Sequence, residues 1–228
     1  RYVIANWKCR KSYDQAREWL DGFSEGYRPV DGVEIVLAPP IILLAQLARF
    51  IKESGLQGLS LAAQDVSPFP SGSYTGATAA DMLKGLSTYA IVGHSERRRY
   101  FHETSNDVTN KVSEAADAGI IPVVCVDEKI AMSQLTALGD IDCETMIIAY
   151  CPVDDVSYPE PQAPDKIREV VSYISQVYPR FPIIYGGGLS AGNVTQYLGI
   201  DGVSGVFVGS AGLDANSFLD IVGQAQTR

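Results

Sequence analysis

The chain has 228 residues, 46% of them hydrophobic and 20% charged, enough apolar material to bury a sizeable core and nothing that suggests disorder. A formal net charge of -9 excludes a general attraction to nucleic acid or to an acidic membrane surface, so any anionic ligand must be held by a local site. No run approaches the roughly 20 apolar residues of a transmembrane helix, and no basic, apolar leader opens the chain.

The elements follow in chain order as pairs, each a short β-branched run and then a segment of helical period. "YVIAN" precedes "SYDQAREWLDGF", "VEIVLAP" precedes "IILLAQLARFIKES", and "LSLAAQ" precedes "TAADMLKGL". "YAIVGH" leads to "SNDVTNKVSEAADAG", and "IPVVCV" to the weakest helix, "KIAMSQLTALGDID", which is short and ends at Gly139. "TMIIAY" then precedes "APDKIREVVSYISQV", "PIIYGG" precedes "SAGNVTQYLG", and "GVFVGS" is the eighth run. Strands apolar on both faces, alternating with helices, predict a parallel sheet covered by helices. Eight such units without a composition break predict an α/β fold, one eight-stranded parallel (β/α)8 barrel over residues 1–228 as a single domain. An open, doubly wound sheet is the alternative.

In such a barrel the active site lies at the C-terminal ends of the strands. Those positions hold Asn6 and Lys8, then Gln64, then His94, Ser95 and Glu96. They continue with Cys125, Asp127 and Glu128, then Cys151, then Gly186 to Gly188, and last Gly209 and Ser210. The turns "YGGGLSAGN" and "VGSAGLD" after strands seven and eight have the small residues a phosphate cradle of backbone N–H groups needs, although either alone is also an ordinary strand-to-helix turn. His94 in "VGHSERR" is either a satisfied core histidine or, beside Glu96 at a strand end, a catalytic one. Lys8 in "NWK" is either solvated or a fixed cation at the barrel mouth. "RRR" at 97 to 99 reads as a solvated or ion-paired face and "DD" at 154 to 155 as a polar loop. Four cysteines without a CxxC, beside only two histidines, fit neither a disulfide framework nor a zinc module, so the expectation is reduced thiols in a cytoplasmic protein with no metal and no cofactor.

With these residues in view the chain resembles the triosephosphate isomerase family from end to end. "ANWK", "AAQDVS" with "YTGA" behind it, "GHSERR", "VCVDE", "AYCPV", "YGGG" and "GVFVGSAGL" stand in the family's order and spacing. The resemblance implies an isomerase that interconverts dihydroxyacetone phosphate and glyceraldehyde 3-phosphate through an enediolate, with a triose phosphate as its small-molecule partner. It implies that Lys8, with Asn6 beside it, binds substrate and stabilises the enediolate. It implies that Glu96 pairs with that lysine. His94 matches the family's electrophile, itself the standard example of a neutral imidazole that polarises a carbonyl. Gly187, Gly188, Gly209 and Ser210 match the backbone donors to phosphate, Ser210 replacing a usual glycine without removing its N–H. A homodimer is implied as well, with the loop "VSPFPSGSYTGA" reaching into the partner and Thr75 at the contact. "TGA" at 75 to 77 departs from the family's Thr-Gly-Glu.

The sharpest departure is at Cys151. The family reads Ala-Tyr-Glu-Pro-Val-Trp where this chain has "AYCPV", and the Glu is its proton-abstracting base. The lid that follows reads "DDVSYP", in which Ser157 still offers an N–H to phosphate but Pro159 has none. A base must come within about 2.6–3.2 Å of the atom it deprotonates, and a cysteine sulfur stops short of a glutamate oxygen on the same backbone. Three readings follow. The chain is an isomerase of low activity with a displaced base such as Cys151, Asp154 or a water; or a triose-phosphate binder that lost its base; or an enzyme in which Cys151 attacks an aldehyde or ester covalently.

Overall fold

The computed structural model describes residues 1–29, 31–152 and 160–226. Eight parallel strands close on themselves in chain order: β1 (Tyr2–Asn6), β2 (Glu34–Ala38), β3 (Leu59–Ala63), β4 (Tyr89–Val92), β5 (Ile121–Val126), β6 (Ile147–Tyr150), β7 (Ile183–Tyr185) and β8 (Val203–Val208). The last joins the first, Tyr2 standing opposite Gly205 and Ala5 opposite Val208. This is the expected (β/α)8 barrel, and the open sheet is excluded.

Period-2 alternation splits the apolar residues of each strand into two cores. Ile4, Val36, Ile91, Val123, Ile147 and Ile184 fill the barrel interior, while Val3, Ala5, Ile35 and Val92 face the helices. Both faces are buried, which is why the strands read as near-continuous apolar runs. The helices are α1 (Tyr13–Gly26), α2 (Ile41–Ser54), α3 (Ser95–Tyr100), α4 (Ser105–Asp117), α5 (Ala131–Ala137), α6 (Pro164–Val177), α7 (Val194–Leu198) and α8 (Ala215–Gln226). Helix α1 buries Ala16, Trp19, Leu20 and Phe23, and α6 buries Ile167, Val170, Val171 and Ile174. The shared spacing i, i+3, i+4, i+7 makes one apolar stripe per helix, each fully buried large side chain contributing roughly 1.5–3 kcal/mol. Ser12 and Thr104 start α1 and α4 with complete capping boxes.

Two expectations change in detail. "TAADMLKGL" forms only a 3-10 turn at Ala80–Leu83, since Lys84 leaves helical geometry and Gly85 turns the chain at φ 75°. The weak fifth helix exists but is short, ending before Gly139. Helix α3 was not among the expected segments, and α8 completes the eighth strand–helix unit. Among the described residues no helix is long and apolar enough to cross a membrane.

Candidate active site

The C-terminal rim of the barrel holds a cavity of about 360 Å³. Asn6, Lys8, His94, Cys151, Gly187, Gly188, Gly209 and Ser210 all line it, so eight of the expected site residues converge. Glu96 joins through Lys8. Ser157, Asp154 and Pro159 lie outside the described residues. Thr75 is exposed at the tip of a turn in which Ala77 N donates to Tyr74 O at 3.0 Å and Gly76 has φ 86°. It takes no part in the cavity of its own chain. A hollow of about 440 Å³ around Gly85, Ser87, Thr88 and Gly119 opens at the opposite end of the barrel, remote from these groups.

Lys8 has φ 53°, a left-handed conformation that costs a non-glycine residue about 1–3 kcal/mol. Two hydrogen bonds hold it there. Its N–H donates to Asn6 Oδ1 at 2.9 Å, and its carbonyl accepts from Gln64 Nε2 at 2.9 Å, while the same amide reaches Ala38 O at 2.8 Å. The ammonium then meets Glu96 Oε1 at 2.7 Å. With both side chains 31–41% exposed, that pair is worth at most about 1 kcal/mol to stability. Its effect is positional: it fixes where the cation stands.

His94 caps the N-terminus of α3, and its Nδ1 accepts from Glu96 N at 3.2 Å. An accepting Nδ1 leaves the proton on Nε2, the nitrogen free to donate. Burial, the larger cause, and the Lys8 ammonium hold the imidazolium's pKa down to about 4 against the opposing pull of Glu96. The ring is therefore neutral at pH 7, and the 3.7 Å approach of Nδ1 to Glu96 Oε2 is not an ion pair. Behind it, Glu103 accepts from Gly93 N at 3.2 Å and from Arg97 Nε at 2.9 Å, and Arg97 also meets Asp65 at 2.7 Å. The "RRR" run is thus not one face. Arg97 is ion-paired, Arg98 is half-buried with Nε on Gly93 O at 2.9 Å, and Arg99 is exposed over Tyr100.

The glycine turns are required by crowding. A Cβ at Gly186 would stand 2.8 Å from Cys151 Sγ and 3.0 Å from Phe207 O, and one at Gly187 would stand 2.8 Å from the Tyr185 hydroxyl. Gly188 has φ 57°. Trp7, which the sequence did not single out, donates Nε1 to Gly212 O at 3.1 Å and so ties the end of β1 to the turn after β8. Its place beside Lys8 in "NWK" was the available signal. Asp127 and Glu128, although they follow the end of β5, do not line the cavity. Asp127 Oδ1 accepts from Lys129 N and Ile130 N, and Glu128 pairs with Lys166 at 2.7 Å.

Cys151 continues the β6 ladder, donating its N–H to Val126 O at 2.8 Å, and its half-buried sulfur sits against the Gly186 backbone. A carboxylate oxygen on the same backbone would be two bonds farther from Cα. The site therefore combines a fixed ammonium, a neutral imidazole N–H donor and glycine-rich backbone facing one small volume, with a thiol on its wall. That set can hold an anion and polarise a carbonyl.

The sequence pattern of the family described as Triosephosphate isomerase matches residues 1–225. A triosephosphate isomerase of Mesomycoplasma hyorhinis is 34% identical over 239 residues, with 96% of each chain covered. One of Dehalococcoides mccartyi is 31% identical over 244 residues, covering 98% of this chain and 95% of its own. The crystal structure of triosephosphate isomerase from Bartonella henselae superposes with a TM-score of 0.84 at 26% identity, over 99% of both chains.

Proposed function

Because the chain belongs to the triosephosphate isomerase family, we propose that it binds a triose phosphate and interconverts dihydroxyacetone phosphate and glyceraldehyde 3-phosphate slowly, a thiol standing where the resemblance implies the carboxylate base. The observation that carries this reading is the convergence of Lys8, His94 and the two glycine turns on one cavity. The turns offer backbone N–H groups to the phosphate, and Lys8 adds a positive charge in a chain whose net charge is -9. His94 Nε2–H donates to the substrate carbonyl, and as the α-proton leaves, that donor and the ammonium stabilise the oxygen that becomes negative. No cofactor is needed for the proton transfer. Loss of a positioned base lowers the rate by roughly 10²–10⁴-fold, while the electrostatic part of the site remains.

A second reading rests on Cys151 itself: a triose-phosphate binder without turnover. A coupled isomerase assay on the purified chain and on Cys151→Glu separates the two. Measurable turnover in the parent, raised by up to about 10²–10⁴-fold in Cys151→Glu, supports the isomerase. No turnover in the parent, with ligand binding retained, leaves the binder.

The exposed, stacked pair Phe69 and Tyr74, ring centroids 4.6 Å apart, supports a homodimer built on the loop that carries Thr75. The composition supports a cytoplasmic location and one domain from end to end.

A further inference from the structure

Behind the main cavity lies a smaller hollow whose wall includes Gly93, Arg98, Cys125, Asp127 and Cys151, the last lining both. Parallel pairing sets Cys125 opposite Ala149 and Val126 opposite Tyr150, and the Cys151 N–H on Val126 O keeps the ladder intact through Cys151. Residues two apart on a strand share a face. Cys125 and Cys151 are therefore diagonal neighbours on the inner face of the barrel, and both pack with its interior residues. Both thiols are free.

Their spacing suits a bridge better than a direct bond. On adjacent parallel strands about 4.8 Å apart, an offset of two residues at about 3.3 Å each puts the two Cα atoms roughly 8 Å apart, beyond the roughly 4.4–6.8 Å between Cα atoms of a disulfide. An ion between two thiolates, with bonds of about 2.3 Å each, spans sulfurs up to about 4.6 Å apart. Zinc does not fit, because it takes four ligands and the described residues contain no group of three or more His, Cys, Asp or Glu side chains placed to hold a metal. A soft d10 monocation accepts two thiolates and prefers sulfur.

Charge supports the same choice. The complex of one monocation with two thiolates carries a net single negative charge. Arg98 lines the hollow to offset it, its guanidinium held by Gly93 O at 2.9 Å and Gln134 Oε1 at 3.0 Å. The opposing Asp127 has one oxygen committed to two backbone N–H groups.

We propose that Cys125 and Cys151 form a dithiol site for a Cu(I)-type cation in the back wall of the triose-phosphate cavity. Binding forms two sulfur–metal bonds and releases both thiol protons to solvent, with no change in oxidation state. The site does not depend on turnover, since neither thiol need act on substrate for it to exist.

The test is anaerobic transfer of Cu(I) from its coloured bicinchoninate complex to the full chain, followed by X-ray absorption. One equivalent transferred, with two sulfur ligands and no nitrogen or oxygen, is expected. Cys151→Ser and Cys125→Ala abolish the transfer, whereas Cys9→Ser and Cys143→Ser retain it, all with parent-like circular dichroism. Should the buried Cys125 variant fold poorly, protection of Cys151 from iodoacetamide by one equivalent of Cu(I) in the parent reads the same site. No transfer, transfer that survives Cys151→Ser, loss on Cys9→Ser, or a spectrum with nitrogen or oxygen ligands each overturns the proposal.

Discussion

At residue scale, His94 and Lys8 make separable predictions. An unfolded histidine takes up its proton near 6.5, whereas native His94 does so only at about 4. Between those values the unfolded chain binds the extra proton, so this residue makes stability fall as pH drops from about 6.5 to about 4 and leaves it flat outside that window. The whole effect is on the order of 3 kcal/mol. Urea unfolding of the parent and of His94→Gln across pH 4 to 7.5 measures it: the variant loses that part of the slope. For Lys8, a ligand present at 100 times its dissociation constant stabilises the folded state by about 2.7 kcal/mol. A triose-phosphate analogue is therefore expected to raise the melting temperature of the parent and not of Lys8→Ala. An unchanged parent at millimolar analogue would falsify the binding site.

Glycines make the argument at the scale of elements. Gly205 lies in β8 opposite Tyr2, and a methyl group there would run into the Tyr2 backbone at the seam that closes the barrel. Gly205→Ala is expected to cost about 3 kcal/mol or more, read as a large drop in denaturation midpoint. Gly223 sits inside α8 with nothing within 4 Å of its would-be Cβ. There Gly223→Ala removes only the glycine penalty, and a gain of about 0.5–1 kcal/mol is expected. The same chemical change thus has opposite signs, decided by whether a strand seam or an open helix face receives the methyl. The failed helix at "TAADMLKGL" belongs to this scale too. Helical spacing buries Ala80 and Leu83 equally well from a single 3-10 turn, and Gly85 stops the chain before a second one forms.

For the whole molecule, the loop bearing Thr75 is the feature a lone chain leaves unused. Phe69 and Tyr74 are each more than 40% exposed, a cost in apolar exposure that a second copy would remove. Sedimentation at micromolar protein is expected to give a dimer, and Tyr74→Asp to give a monomer with weakened turnover or ligand binding. A parent that sediments as a monomer removes the homodimer.

The architecture was legible in the sequence because a parallel barrel buries both strand faces, which writes eight apolar runs separated by helical stripes into the chain. Most of the site was legible for a related reason. In this architecture functional groups gather at the strand ends, so Lys8, His94, Glu96 and the two glycine turns stand out in the sequence by position alone. Other features depend on tertiary structure alone. The neutral state of His94 comes from burial under groups distant in sequence, and the three fates of "RRR" depend on Asp65, Glu103 and Gly93 arriving beside it. The meeting of Cys125 with Cys151 was invisible to spacing rules, which search for ligands near one another along the chain. It is created by the register of two neighbouring strands, where a shift of one residue would turn one thiol from the barrel interior to the helix layer.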